Sequence, residues 1–387
     1  MIRVAIIGTG NISAAHINAY LAFPERCKIV ALVDIYPEKA QAKKEQFGLD
    51  ADVYDSHKLL LGSEDIDLVS ICTPPFSHAE IAVDFLNDSR HVIVEKPMAA
   101  SLEECDRMNA AAAKRGTVFS VIAQNRFLNP IMNLKHVLDS GKIGRVLHAQ
   151  VDSFWWRGHC YYDLWWRGLW SKEGGGCTLN HAVHHIDMLG WMMGLPNKVS
   201  ALLSNAAHDN AEIEDISIAA LQYEKGAVAQ VTSSVIHHGE EQQLIFQGEN
   251  ARISAPWKVH ASTSLENGFP KKNEELEQEL NDLYSTLPQL THQAHEGQIE
   301  NVLTAIETGG APFITGESGR MTIELITAIY KAGFQQKTVE LPITKSDPYY
   351  TVQGIMENAP HFYEKTNSVI NLGSSQEITL GGSYSSK

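Results

Sequence analysis

Near the N-terminus, Val4-Ala-Ile-Ile-Gly8-Thr-Gly10-Asn11-Ile12-Ser13 spells G-x-G-x-x-S between an apolar run and a helical pattern. Gly8 permits a tight turn there, and the bare backbone of Gly10 lets a pyrophosphate approach the positive end of a helix. Ser13 stands where Gly or Ala usually packs, and it is small enough to fit. The next apolar run ends Val33-Asp34, about 20 residues on, where a carboxylate can hydrogen-bond both hydroxyls of an adenine ribose. That carboxylate repels a 2′-phosphate, and neither Ile35 nor Tyr36 offers a cation to offset it. The expected cofactor is therefore NAD rather than NADP.

Two further groups carry proton chemistry. Glu95-Lys96-Pro97 follows a fourth apolar run, His91–Val94, at the C-terminal edge where α/β sheets bind ligands. Pro97 fixes the turn that aims Lys96. The stretch Glu173-Gly-Gly-Gly-Cys177-Thr-Leu-Asn180-His181-Ala-Val-His184-His185-Ile-Asp187 is rich in histidine. On a continuous helix of about 100° per residue, Asn180, His184, Asp187 and Trp191 share one face, while His181 and His185 point away. Histidine titrates nearest neutrality, which suits taking a hydroxyl proton while a hydride leaves. Asp187 is expected as a structural hydrogen-bonder beneath that site. Cys177 with His181, and His181 with His185, have the spacing of metal ligands, but no local motif places a third, so no metal is expected.

Five of the seven tryptophans fall within Phe154-Trp155-Trp-Arg157-Gly-His-Cys-Tyr161-Tyr-Asp163-Leu-Trp165-Trp-Arg167-Gly-Leu-Trp170. Aromatic faces pack on the C–H faces of pyranose rings, and Arg and Asp serve hydroxyls. A sugar or glycoside is expected over a small hydroxy acid, with two or three of these aromatics at the substrate and the rest buried. Arg157 or Arg167 suits a phosphate or carboxylate; the alternative is simple pairing with Asp163 or Glu173.

After the glycine motif come Thr73-Pro74-Pro-Phe-Ser-His78, then Glu95-Lys96-Pro97, then the glycine-rich turn into a helix. In that order and spacing, over residues 1–340, they resemble the Gfo/Idh/MocA oxidoreductases, the relatives of glucose–fructose oxidoreductase and inositol dehydrogenase. The resemblance implies that His184 is the acid/base and that Lys96 hydrogen-bonds the reacting oxygen and positions the nicotinamide. It implies a cofactor site built from Gly8, Gly10, Asn11, Ile12, Asp34, Thr73, Pro74, His78, Glu95, Lys96 and Gln124. Asn180, Trp155, Arg157, Tyr161, Trp165 and Arg167 would meet a carbohydrate or cyclitol. Many relatives carry Asp where this chain has Asn180, which puts a Lys–Asp–His relay in doubt. The resemblance implies a dehydrogenase of a secondary hydroxyl, acting as a homodimer or homotetramer. Alternatives are an NAD-retaining glycosidase or lyase that oxidises its sugar transiently, and a non-catalytic NAD-binding regulator.

The elements that must position these residues change character along the chain. Short apolar runs at Val4–Ile7, Ile29–Val33, Leu68–Ile71, His91–Val94 and Val118–Ala123 alternate with amphipathic segments such as Pro37–Phe47, His78–Leu86 and Ser101–Lys114. That pattern predicts an α/β Rossmann domain with a parallel sheet over residues 1–125. Longer alternating runs follow at Arg145–Phe154, Asp215–Tyr223, Ala227–Ser234 and Gln242–Gly248, with a hairpin turn at Glu224-Lys225-Gly226. With helices at about Leu287–Thr308 and Gly319–Phe334, residues 126–366 are expected to form an α+β domain with a large open, mostly antiparallel sheet for substrate binding and oligomerisation. Residues 367–387, rich in Ser and Gly, are expected as a loose tail or an arm onto a neighbouring subunit.

A net charge of −15, with neither half basic, gives no electrostatic reason to hold nucleic acid or an anionic membrane. The five cysteines are irregularly spaced with no C-x-x-C, which argues against a disulfide framework and a structural zinc and suits a reducing cytoplasm. No signal-peptide pattern precedes the first strand, and no apolar run reaches the roughly 20 residues of a membrane span. A soluble cytoplasmic protein is expected.

Overall fold

The computed structural model describes residues 1–370 and Tyr384. Its first sheet alternates strand and helix: β1 (Ile2–Ile7), α1 (Ser13–Leu21), β2 (Cys27–Val33), α2 (Pro37–Phe47), β3 (Asp52–Tyr54), β4 (Leu68–Ile71), α3 (His78–Asn87), β5 (His91–Val94), α4 (Leu102–Arg115) and β6 (Phe119–Val121). All six strands are parallel, in the order β3-β2-β1-β4-β5-β6. Strands β4 and β6 are buried throughout, as near-continuous apolar runs require when helices cover both faces. The strand order reverses between β1 and β4, and the crevice at that switch point is where such sheets take ligands. Helix α4 starts on Ser101, whose hydroxyl accepts the Glu104 N–H, and ends on Gly116 at φ +66°.

The second half adds α5 (Asn129–Asp139), β7 (Val146–Phe154), α6 (Trp170–Glu173), α7 (Cys177–Asn180), α8 (Val183–Met193), β8 (Lys198–Ser204), β9 (Ile216–Gln222), β10 (Val228–Ser234), β11 (Gln242–Gly248), β12 (Ala251–Ala255), β13 (Lys258–Ser264) and β14 (Pro270–Lys272). Then come α9 (Glu274–Thr286), α10 (Ala294–Thr308), α11 (Gly316–Gln335), β15 (Val339–Glu340) and α12 (Val352–Asn358). Among the described residues nine strands run β14-β13-β12-β11-β7-β10-β9-β8-β15 and are antiparallel apart from the β7–β10 pair. Burial alternates cleanly along β9, so one face lies on the core and the other on solvent. The turn Glu224–Gly226 joins β9 to β10 with Lys225 and Gly226 both at positive φ.

Three expectations change. The helix anticipated from Cys177 onward is two helices, broken at His181 and Ala182. The helix expected from Leu287 starts only at Ala294, and α9, with apolar positions masked by acidic ones, was not anticipated. The C-terminal segment follows the aromatic loop: Trp170 Nε1 donates to Pro360 O, and Val369 pairs with the backbone of Asp163 and Trp165. Of the residues expected as a tail, Tyr384 is buried, and 371–383 and 385–387 lie outside the described residues.

The two sheets are joined by a buried ion pair. Arg126, just beyond β6, makes two hydrogen bonds of 2.7 Å to Asp187 of α8, which also accepts from Thr322 of α11. Removing one member of a buried pair strands the other charge, a loss of about 3–5 kcal/mol. Asp187→Ala is therefore expected to unfold at markedly lower urea concentration than wild type. A midpoint unchanged in that titration would show that the pair does not hold the sheets.

Candidate active site

At the first turn Gly8 has φ +92°, and a side chain there would lie 2.8 Å from the Cys72 carbonyl carbon. A Cβ on Gly10 would meet none of the described residues within 4 Å, and its neighbours are exposed Asn11 and half-buried Ile12. The Ser13 hydroxyl donates to the Gly10 carbonyl at 2.7 Å, so this departure from Gly or Ala braces the turn. At the end of β2, Asp34 accepts from the N–H and hydroxyl of Thr9, both at 2.8 Å, and from the Tyr36 N–H at 3.0 Å. Beyond β6, the buried Gln124 has its Oε1 unpartnered among the described residues. An open glycine backbone, a fixed carboxylate and an orphaned acceptor fit a nicotinamide dinucleotide.

For two of the expected cofactor residues the structure shows hydrogen-bond partners within the protein. Both ring nitrogens of buried His78 face carbonyls, Nδ1 that of Pro97 at 2.9 Å and Nε2 that of Thr73 at 2.8 Å. His78 therefore ties the Thr73-Pro74 turn to the Lys96-Pro97 turn and has no nitrogen left for a ligand. Buried Glu95 takes His16 Nε2 at 2.9 Å, His295 Nε2 at 3.3 Å and the Lys96 N–H at 3.0 Å. Burial alone would raise its pKa, but the two histidines hold it well below the usual range. His16 lies on α1 three residues after Ser13, a helical spacing that flags a shared inner face; His295, on α10, had no local signal.

Lys96 extends from this base, and its Nζ donates to the backbone carbonyl of Asn180 at 3.0 Å. Burial lowers its pKa; Glu95 opposes this, and Arg167 and Arg157 add to it. Lys96 and His184 line one cleft with Met98, Val183 and Asp187.

The glycine-rich turn explains its own composition. A Cβ on Gly175 would lie 2.2 Å from the Tyr330 hydroxyl, and one on Gly176 would lie 1.9 Å from the Glu214 carbonyl oxygen. The Glu214 carboxylate accepts the N–H of Gly176 and of Thr178, both at 3.0 Å, and the Tyr330 hydroxyl at 3.0 Å. Asn180 then turns its side-chain nitrogen back onto the Gly175 carbonyl at 2.7 Å. Its side chain braces the turn, and its backbone carbonyl serves Lys96.

The break after Asn180 redirects the histidines. His181, expected to point away, has its ring centre 5.7 Å from those of both Trp155 and Tyr161. Burial, reinforced by Arg157, Arg167 and Lys96, holds it well below the ordinary histidine range. His184 is held down by burial and by Lys96. His185 meets the hydroxyl of Tyr384 at 2.6 Å, a partner 199 positions away that no local pattern announced. The metal spacing disperses: Cys177 Sγ faces the Ser233 carbonyl, and Asp187 is engaged by Arg126.

The aromatic segment divides. Trp155 is buried, its Nε1 bonded to Ser153, so it forms a wall rather than an open platform. Trp170 is buried against Tyr330 and Phe334. Half-buried Trp165 meets Phe76 of the Thr73-Pro74 turn edge-on, with ring centres 6.2 Å apart, and so bridges the two sheets. Half-buried Tyr161 lies under Arg167, 4.0 Å from its ring centre, and Arg157, 5.5 Å away. Arg167 pairs with Glu173, as one alternative anticipated, whereas Arg157 pairs with Glu240 rather than Asp163.

Residues 2–123 match the model of an oxidoreductase family's NAD-binding Rossmann fold, and 135–341 match the same family's C-terminal alpha/beta domain. The chain belongs to the Gfo/Idh/MocA oxidoreductase family. Its cofactor is NAD. Within the family it is 27% identical over 64% of its length to 2,7-anhydro-N-acetylneuraminate hydratase of Mediterraneibacter gnavus. It is 31% identical over 63% to 1-carboxy-3-chloro-3,4-dihydroxycyclohexa-1,5-diene dehydrogenase of Comamonas testosteroni. These matches span 66% and 60% of those relatives. The WlbA dehydrogenase of Bordetella pertussis, solved with NADH and UDP-GlcNAcA, is 27% identical with a TM-score of 0.75, over 89% of this chain and 99% of that one. Among the described residues no helix is long and apolar enough to cross a membrane.

The buried histidines set a pH dependence. Burial lowers His185 from 6.5 to about 3. Between those values the unfolded chain binds a proton that the folded one refuses, so stability present above pH 6.5 is lost as pH falls, by about 1.4 kcal/mol per pH unit. Glu214, raised by burial to about 7, works in the opposite direction and offsets His185 over much of that range, but His16, His78, His181 and His184 are lowered by burial as well, so the histidines outweigh it. The melting temperature is expected to fall from pH 7 to pH 5, and His185→Phe to flatten that fall. An unchanged slope in the variant would place the acid lability elsewhere.

Proposed function

We propose that the chain transfers a hydride between a secondary hydroxyl of a sugar, glycoside or cyclitol and NAD. The observation that carries this reading is Lys96, hydrogen-bonded to the Asn180 carbonyl, in one cleft with His184. The relatives support it: two are dehydrogenases, one crystallised with NADH and a sugar nucleotide, the other named for a dihydroxylated ring.

When bound, NAD supplies the hydride acceptor. Gly8, Gly10 and Asp34 would hold its adenosine and diphosphate end, and Thr73, Pro74 and Gln124 would serve the nicotinamide end. Lys96 Nζ donates a hydrogen bond to the reacting oxygen and draws off the charge that develops there. A ring nitrogen of His184 takes the hydroxyl proton in oxidation and returns it in reduction. Its lowered pKa keeps the ring neutral near pH 7 and free to accept. Asp187 takes no proton in this scheme, because Arg126 and Thr322 occupy it.

The hydratase relative favours a second reading, in which the same residues oxidise the sugar transiently and the hydride returns before release. A non-catalytic regulator is disfavoured by the meeting of Lys96 and His184. Lys96→Met and His184→Asn are each expected to lower kcat by about 10²–10⁴-fold while the His184 variant still binds NADH. Absorbance of NADH, followed with sugars and cyclitols, checks this; substrate conversion without net NADH would select the second reading. Wild-type rates in both variants would overturn the mechanism.

We also propose that the open face of the large sheet joins copies of the chain into a dimer or tetramer. Leu202 and Ile218, directly paired across β8 and β9, are 67% and 52% exposed, an apolar patch that association would cover. Light scattering should show an oligomer in wild type and a monomer in Leu202→Glu/Ile218→Glu. A monomeric wild type would remove this reading.

A further inference from the structure

Beside the Lys96–His184 cleft lies a corner that hydroxyl chemistry alone does not require. Arg167 and Arg157 flank the Tyr161 ring, the Tyr161 hydroxyl lies 3.4 Å from His181 Nε2, and His181 follows the residue whose carbonyl holds Lys96. Lys172 extends the positive rim, 5.0 Å from the ring centres of Phe76 and Trp165.

The carboxylates here are committed. Glu173 is held by the Gly168 N–H as well as by Arg167, both at 2.7 Å. Glu240 accepts from Arg157 at 2.6 Å and from the Trp156 N–H at 3.2 Å. A guanidinium has five N–H donors. Arg167 spends one on Glu173, and the described residues take none of the others. His181 Nδ1 is buried with no partner among the described residues. After burial, the strongest influences on His181 are Arg157, Arg167, Lys96 and His184, all of one sign. The hydroxyls of a neutral sugar can accept from these donors but leave the positive potential unanswered, whereas an anionic oxygen group answers both.

We infer that the substrate carries an anionic oxygen group, a carboxylate or a phosphate, which docks at the corner formed by Arg157, Tyr161, Arg167 and His181 while its hydroxyl faces Lys96 and His184. This rests on the function proposed above for the placement of the hydroxyl, but the anion site can be tested without turnover.

Calorimetry on the full chain loaded with NADH would compare glucuronate, its methyl ester, glucose and glucose 6-phosphate. Glucuronate or glucose 6-phosphate should bind at least tenfold more tightly than the neutral pair, and which of the two does so names the group. Arg167→Gln should erase that preference, and Arg167→Lys should restore part of it. Because Arg167→Gln also strips a buried carboxylate of its partner, Arg157→Gln, whose partner is partly exposed, serves as the second variant. NADH affinity, read by fluorescence, should be unchanged in each. Equal binding of acid, phosphate and neutral sugar, no binding of any, or equal losses for charged and neutral sugars in both glutamine variants would overturn the inference. Anion preference without NADH formation or substrate conversion would instead uphold the docking corner and count against the proposed reaction.

Discussion

The hydrogen bond from Lys96 Nζ to the Asn180 carbonyl is the point at which the two sheets become one site. Its donor stands at the end of a strand of the parallel sheet, and its acceptor closes a short helix packed on the second sheet. Neither end is free to move. Below the lysine, Glu95 is clamped by His16 and His295, and His78 ties the two motif turns by their carbonyls. Below the asparagine, the glycine turn is pressed onto Glu214 and Tyr330 too closely for any side chain. A lysine held at one geometry by rigid elements can position an oxygen far better than one on a flexible loop.

The same packing sets the charges. Burial drives His181, His184 and His185 toward the neutral ring, and neighbouring cations reinforce it for the first two. Glu95 stays ionised despite deep burial because two imidazoles bond to it. Ionised carboxylate below, neutral imidazole above and a lysine between them is the arrangement a proton-transfer site needs near neutral pH. The Arg126–Asp187 pair keeps α8 in place, and its hydrogen bonds leave Asp187 no part in the proposed proton transfer.

Much of the parallel sheet was legible because its period is local: a buried strand is an apolar run, and Gly8, Gly10 and Asp34 are spaced by one strand–turn–helix unit. The motifs that flank Lys96 and His184 singled them out, and the fold brings the two to one cleft. The Asn180–Asp187 stretch was misread as one helix, because a helical wheel assumes unbroken geometry and nothing in Asn180-His181-Ala182 signals a break. Hence the helical wheel turns His181 away, whereas the fold buries it against Trp155 and Tyr161. For Glu95 and His78, motif membership marks proximity to a ligand, while the bonds that tie them to His16, His295, Thr73 and Pro97 come from the fold.

The sequence by itself determined the family and the cofactor and pointed to Lys96 and His184 as the pair to propose, since each rests on residues close in the chain and on periodicities set by backbone geometry. Tertiary structure alone decided which side chains remain available to a ligand. That turns on partners far away: Tyr384 for His185, Glu240 for Arg157, Asp187 for Arg126 and His295 for Glu95. A polar group buried on folding must find a partner, and the partner it finds is set by packing rather than by distance along the chain.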